Sequence, residues 1–257
     1  MIIKIATFNI QNKYQIPNYK GIDEDGDNTH KLVSFIVEND IDILGTQEMV
    51  KGYQSRLMER LEHFKYTITG NYRLKRIGNY IPILRKYNEA NSVITKYPVE
   101  STKTIPLSFL PYTPRIATMT QIMIDTIKIN VINTHLEVNR KYLRQKQLNR
   151  LKKIIDNIEG YIILMGDFNM EKDNPLFQDF IKNMKNYNLK LIKTTAGTHP
   201  TMESAIDHIF VSKSLGIVTE IKVDTTLENM SDHRPVIVTL KLSKENLWNI
   251  LNIIISI

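Results

Sequence analysis

The chain has 257 residues, 42% hydrophobic and 24% charged, a composition that supports a buried core and excludes an intrinsically disordered protein. It contains no cysteine, which excludes a disulfide framework, a thiolate metal site and a cysteine nucleophile, so any metal must be held by oxygen or imidazole. With 34 Lys and Arg against 27 Asp and Glu the formal net charge is +7, which favours nucleic acid or acidic membrane surfaces as partners, although a chain this rich in Ile, Lys and Asn is basic without any such role.

Residues 1–9 read as a first strand and lack the pattern of a secretory signal, so a cytoplasmic location is expected. Strand-like segments are predicted at 2–10, 41–47, 92–95, 116–125, 127–134, 161–165, 205–211 and 236–242, and several are apolar at nearly every position, as in strands buried on both faces. A helix is expected after Thr29 (Leu32, Phe35, Ile36) and another around Tyr53, Leu57 and Leu61. Leu148, Leu151, Ile155 and Ile158 form one helical stripe with Gly160 placed to end it, and Asn174-Pro175 reads as an N-cap and first-turn proline.

Interleaved strands and helices with no linker predict one layered α/β domain over residues 1–242. The apolar tail, 243–257, is too short to span a bilayer as a helix, which takes ~20 residues, and is expected to pack on the same domain. Between Gly70 and Tyr97, Tyr72, Arg73, Lys75, Arg76, Tyr80, Arg85, Lys86 and Tyr87 interleave aromatic with basic groups, as a nucleic-acid surface or a solvated face would.

Five polar clusters each close or flank an apolar run: Phe8-Asn9-Ile10, Thr46-Gln47-Glu48, Asn133-Thr134-His135, Gly166-Asp167-Phe168-Asn169 and Ser231-Asp232-His233-Arg234-Pro235. Singly, Asn9 is a common turn residue, Glu48 a common surface carboxylate, and Gly-Asp-x-Asn ordinary turn punctuation. Together at one sheet edge they supply oxygen ligands for a hard cation, two imidazoles, and a carboxylate beside an amide, which is the equipment of a metal-dependent phosphohydrolase. Asp207, in the apolar run Ile206-Asp207-His208-Ile209-Phe210, requires a buried partner, and His233 is the preferred one. His208 faces the other side of its strand and reads as structural, while His199 is a candidate only for a pocket wall.

In order, Phe8-Asn9, Gln47-Glu48, Thr134-His135-Leu136, Gly166-Asp167-Phe168-Asn169, Ile206-Asp207 and Ser231-Asp232-His233-Arg234-Pro235 resemble the endonuclease/exonuclease/phosphatase superfamily, from Ile2 to about Leu242. The resemblance implies a four-layer α/β/β/α sandwich, two face-to-face mixed β-sheets flanked by helices, with the site at one end. It implies that Asn9, Glu48 and Asp232 serve Mg²⁺ (Mn²⁺ as a substitute), Asp167 and Asn169 the attacking water and phosphate, and His233 with Asp207 the phosphoryl charge. His135 falls where the nuclease and lipid phosphodiesterase branches carry a histidine that assists the leaving group, and Arg115 resembles the arginine that holds a substrate phosphate. Gln11 stands where some branches carry a further acidic ligand, which weakens a second tight metal site. Asn133-Thr134-His135 argues against the abasic-site branch.

The expected activity is hydrolysis of a phosphodiester, with nucleic acid the favoured substrate. A phospholipid (sphingomyelinase-like) or small-molecule phosphodiesterase or phosphatase is the alternative. A catalytically silent nucleic-acid or lipid binding module is the second.

Overall fold

The computed structural model describes residues 1–11, 28–70, 89–108, 115–194, 196–199, 201 and 204–243. The basic and aromatic side chains between 72 and 87, and the apolar tail beyond Ser243, lie outside them. The described strands form two six-stranded sheets. One has the order β11 (Gly216–Val223), β12 (Val236–Leu242), β1 (Ile2–Asn9), β2 (Ile43–Met49), β4 (Ala90–Thr95), β3 (Thr67–Thr69). The other runs β5 (Val99–Pro106), β6 (Ile116–Ile124), β7 (Ile127–His135), β8 (Tyr161–Asp167), β10 (Asp207–Ser212), β9 (Leu189–Ile192).

Both sheets carry one parallel pair at their centre, β1 with β2 and β7 with β8, and antiparallel pairs elsewhere. A parallel pair needs a crossover, and helices supply it. Helix α1 (Thr29–Glu38) lies between β1 and β2, and α3 (Lys141–Ile155) between β7 and β8; α2 (Lys51–Glu62) follows β2 and α4 (Pro175–Asn186) follows β8. The ends of β1, β2, β7 and β8 therefore bring Asn9, Glu48, His135 and Asp167 to the same end of the molecule.

Three apolar clusters define four layers. Ile3, Ile5, Ile43 and Val238 of one sheet meet Ile129, Val131, Ile163 and Ile209 of the other. Phe8, Leu44 and Ile94 pack outward on Leu32, Phe35, Tyr53 and Leu57 of α1 and α2. Ile132, Leu164 and Phe210 pack outward on Leu148, Leu151, Phe177 and Phe180 of α3 and α4. This is the expected α/β/β/α sandwich.

Four strands, β3, β5, β9 and β11, were not among the predicted segments, and they are the four sheet edges. An edge strand needs no continuous apolar run because one of its sides faces water: β11 has five exposed positions of eight. The third helix ends at Ile155 instead of reaching Gly160, because Asn157 and Ile158 N–H groups close tight turns onto Ile154 and Ile155 carbonyls. The fourth helix begins as expected: Asn174 Oδ1 accepts the Leu176 N–H at 3.0 Å with Pro175 at the first position. Among the described residues no helix is long and apolar enough to cross a membrane.

Candidate active site

His135, Asp167 and Asp207 stand in one row across β7, β8 and β10, since the ladders pair His135 with Asp167 and Asp167 with Asp207. Residues directly opposite in neighbouring strands project on the same face, so the three side chains converge. Asp167 Oδ2 lies 3.4 Å from His135 Nε2 and 3.8 Å from His233 Nε2, and accepts the Asn9 Nδ2 amide at 3.1 Å. His233 Nδ1 is 2.8 Å from Asp207 Oδ2, the predicted pairing. All four side chains of this group, the two aspartates and two histidines, are buried.

Local chemistry fixes each member. Gly166 adopts φ +142°, and a Cβ there would stand 1.9 Å from the Thr134 carbonyl oxygen, so only glycine fits. Asp167 Oδ1 accepts the Asn169 N–H at 2.8 Å, an Asx turn that sets Asn169 at φ +51° with its Nδ2 donating to the Leu136 carbonyl at 3.1 Å. Phe168 points away, buried among Phe177, Phe180 and Phe210. On the other sheet, Glu48 sits at φ +63° in the bulge where the β2–β4 register shifts between Thr46 and Met49. The bulge turns its carboxylate toward Asn9, whose Nδ2 reaches Glu48 Oε1 at 3.2 Å. Gln11, Glu48 and Asn169, all non-glycine residues at positive φ, lie together at this end, each conformation costing on the order of 1 kcal/mol.

The segment bearing His233 is anchored at both sides. Ser231 Oγ donates to the Asn9 carbonyl at 2.6 Å and accepts the His233 N–H at 3.0 Å. Arg234 N–H donates to the Thr198 carbonyl at 2.7 Å, and Thr198 Oγ1 accepts the N–H groups of Ile206 and Asp207. Asp232 is gripped by Gln11, whose Nε2 donates to Oδ2 at 2.5 Å while its Oε1 accepts the Asp232 N–H at 3.3 Å. Gln11 is thus a positioning residue whose role beside Asp232 was not visible from its place in the sequence.

His199 also joins the site. Its ring meets His233 edge-on at 5.2 Å between centroids, and its Nε2 lies 3.8 Å from Asp232 Oδ2. Thr201 N–H donates to His199 Nδ1 at 3.3 Å, which leaves the proton on Nε2, toward Asp232. No periodic signal surrounds Thr198-His199 in the sequence; what places it is the backbone bond from Arg234. His208, on the opposite face of β10, is bonded through Nε2 to the Met170 carbonyl and packed against Phe177. Burial pushes it down to about 4, so it is neutral and structural. Arg115 is buried just before β6, its N–H donated to Ser108 Oγ.

Electrostatics follow from this crowding. Burial, and then the charge of Asp207, push Asp167 up to about 7 against the pull of His233 and of the hydrogen bonds from Asn169 and Asn9. Burial opposes a charged His233, but the Asp207 carboxylate, joined by Asp167 and Asp232, raises the imidazole to about 10. Burial and the neighbouring His233 lower His199. An imidazolium therefore sits beside a proton acceptor of nearly neutral basicity.

The Endonuclease/Exonuclease/phosphatase family model matches residues 6–233, a span that contains every one of these side chains. The chain belongs to the endonuclease/exonuclease/phosphatase family. Members of that family are phosphoester hydrolases. No curated protein matches the sequence. Among solved structures, the chain is similar to the endonuclease/exonuclease/phosphatase from Bacteroides vulgatus (22% identity, 95% of this chain and 100% of that one, TM-score 0.74). It is similar in fold to the mannosyl-6-phosphatase of Bacteroides thetaiotaomicron (19% identity, 92% and 98% covered, TM-score 0.67). A third similar fold is ANGEL2, a 2′,3′-cyclic phosphatase in complex with adenosine-2′,3′-vanadate (14% identity, 94% and 96% covered, TM-score 0.71).

For a member of the endonuclease/exonuclease/phosphatase family a divalent cation is implied, and the residues fit one. Asn9 draws the Glu48 and Asp167 carboxylates to one amide, Asp232 stands beside them across Gln11, and the donors are hard oxygens. Asp207 Oδ1 is buried with no hydrogen-bond partner, so one acceptor oxygen of this cluster is left unsatisfied. Two trios of acidic and histidine side chains, His199/Asp232/His233 and Asp167/Asp207/His233, have ligand atoms within 4.8 Å of one another, and neither includes Glu48. His233 is a poor ligand in both, because Asp207 holds it protonated.

Proposed function

We propose that the protein is a divalent-metal-dependent phosphodiesterase acting on nucleic acid by in-line attack of water on phosphorus. The observation that carries this is the His135–Asp167–Asp207 row with His233 closing over it: two imidazoles on either side of one carboxylate oxygen. Hydrolysis of a phosphate ester takes a proton from the attacking water and gives one to the departing alkoxide, and a carboxylate flanked by two imidazoles can do both.

Asp167 orients the water and takes its proton as the new P–O bond forms. His135 gives a proton to the departing oxygen as the old P–O bond breaks. His233, kept cationic by Asp207, stabilises the charge gathering on the phosphoryl oxygens, and Asn169 and Arg115 hold the phosphate. Asn9, Glu48 and Asp232 would hold the cation, Mg²⁺ with Mn²⁺ as a substitute. When bound it supplies further charge compensation to the non-bridging oxygens.

A small phosphate ester is the second reading, supported by a cavity of about 350 Å³ beside Asn169, lined also by Met170, Glu171, Asp173, Asn174 and Ile206. Its carboxylates suit the hydroxyls of a sugar better than a lipid chain. The test is a substrate panel with Mg²⁺ and with EDTA: single-stranded DNA and RNA, plasmid, a 2′,3′-cyclic nucleotide, a sugar phosphate and sphingomyelin. The account expects metal-dependent cutting of polynucleotide; turnover confined to the small esters or the lipid would replace it.

A further inference from the structure

The second sheet's helical layer carries a charge asymmetry that the chemistry of the site does not use. Residues 140–155 contain seven Lys and Arg and no Asp or Glu, a surplus equal to the formal net charge of the whole chain, +7. Helices α1 and α2, on the opposite face, balance four cations (Lys31, Lys51, Arg56, Arg60) with three anions (Glu38, Glu59, Glu62). A general enrichment in lysine would have loaded both layers alike.

Helix α3 buries Leu143, Gln147, Leu148, Leu151 and Ile155, so the opposite stripe faces solvent: Tyr142, Lys146, Asn149, Arg150 and Lys153, at i, i+4, i+7, i+8 and i+11. Lys146 lies over the Tyr142 ring, 5.7 Å from its centroid, and Tyr142 is 47% exposed. Among the described residues neither Lys146 nor Lys153 has a carboxylate partner in an ion pair. The helix also starts at the site. Only five residues separate His135 from Lys141, and the first of these, Leu136, bonds Asp167 and Asn169 through its backbone. From there the helix runs about 22 Å along the flank.

We infer that this outward stripe of α3 is a docking track for the phosphate backbone of a polynucleotide whose scissile bond lies at the His135–Asp167 end. Regularly spaced cations with one exposed aromatic ring fit a polyanion bearing stacked bases. An acidic membrane is the poorer match, because an interfacial helix needs an apolar face to insert, and Tyr142 is the only large apolar side chain in the stripe. The inference rests on the polynucleotide reading above and adds where the chain beyond the scissile bond is held.

The test compares the full chain with a Lys146→Gln/Arg150→Gln/Lys153→Gln variant; all three positions are exposed and outside the catalytic group. Affinity for a fluorescein-labelled single-stranded oligonucleotide is measured in EDTA over a KCl series, and kcat/KM for bis(p-nitrophenyl) phosphate is measured with Mg²⁺. The expected result is affinity weakened roughly tenfold, a log–log salt slope reduced by about 2, and unchanged turnover of the small diester. Unchanged affinity and slope would overturn the track, even if the wild type cleaves oligonucleotides. Binding with this salt dependence but no cleavage would overturn the substrate reading and leave the track standing. A loss seen on phosphatidylserine vesicles and not on the oligonucleotide would overturn the assignment to nucleic acid.

Discussion

Asp167 and Asp207 are direct partners in the antiparallel β8–β10 ladder, and His233 bridges them, 2.8 Å from Asp207 through Nδ1 and 3.8 Å from Asp167 through Nε2. Two buried carboxylates on neighbouring strands would repel; one imidazolium between them makes the pair tenable and gives them different work. Asp207 holds the proton on His233, and burial leaves Asp167 a carboxylate of raised basicity.

Asp207→Asn removes the charge that holds His233 near 10, and burial then pulls the imidazole down. The basic limb of the kcat/KM profile moves to lower pH, and activity at pH 8 falls by about 10²–10⁴. A pH–rate series on the variant checks both; a basic limb that stays in place contradicts the pairing.

Asp167→Asn abolishes turnover and yet stabilises the metal-free protein above neutral pH. The folded-state value, raised from 3.8 to about 7, means that the native form binds more protons than the unfolded chain between those limits. Stability contributed by the protonated group is present at low pH and is lost as pH rises through about 7. Thermal melts in EDTA are therefore expected to show a variant-minus-wild-type Tm difference that grows from pH 5 to pH 8; a flat difference contradicts the assignment.

Gly166→Ala places a methyl group against the Thr134 carbonyl, backbone that cannot give way. The expected loss is on the order of 2–4 kcal/mol, a Tm lower by about 5–15 °C, read by calorimetry.

Glu48→Gln weakens Mg²⁺ binding. Mg²⁺ at a hundredfold above its Kd adds about 2.7 kcal/mol of stability to the wild type. The rise in Tm on Mg²⁺ titration without substrate is expected to be lost in the variant, and an undiminished rise would remove Glu48 from the cation site.

The central strands were legible because each is an apolar run, and the clusters at their ends were legible because polar residues interrupt those runs abruptly. Asn9, His135 and Asp167 are the last residues of β1, β7 and β8, and Glu48 is the last but one of β2, the four strands of the two parallel pairs. The edge strands β3, β5, β9 and β11 were not legible, since a half-solvated strand such as Val99-Glu100-Ser101-Thr102-Lys103-Thr104-Ile105-Pro106 carries little hydrophobic signal. The place of His199 beside His233 and Asp232, beyond a pocket wall, and the clamp of Gln11 on Asp232 were not legible for a different reason. Both depend on contacts across long stretches of sequence, Arg234 to Thr198 and Gln11 to Asp232, that no local pattern encodes.

His233, held by Asp207, is proposed to drive metal-dependent hydrolysis of a phosphodiester. The most direct measurement is cleavage of single-stranded DNA and plasmid with Mg²⁺ and with EDTA, by the wild type and by His233→Ala. The account predicts cutting by the wild type only with Mg²⁺, reduced at least about 10²-fold in the variant. Near-normal, metal-dependent cutting by His233→Ala would contradict it.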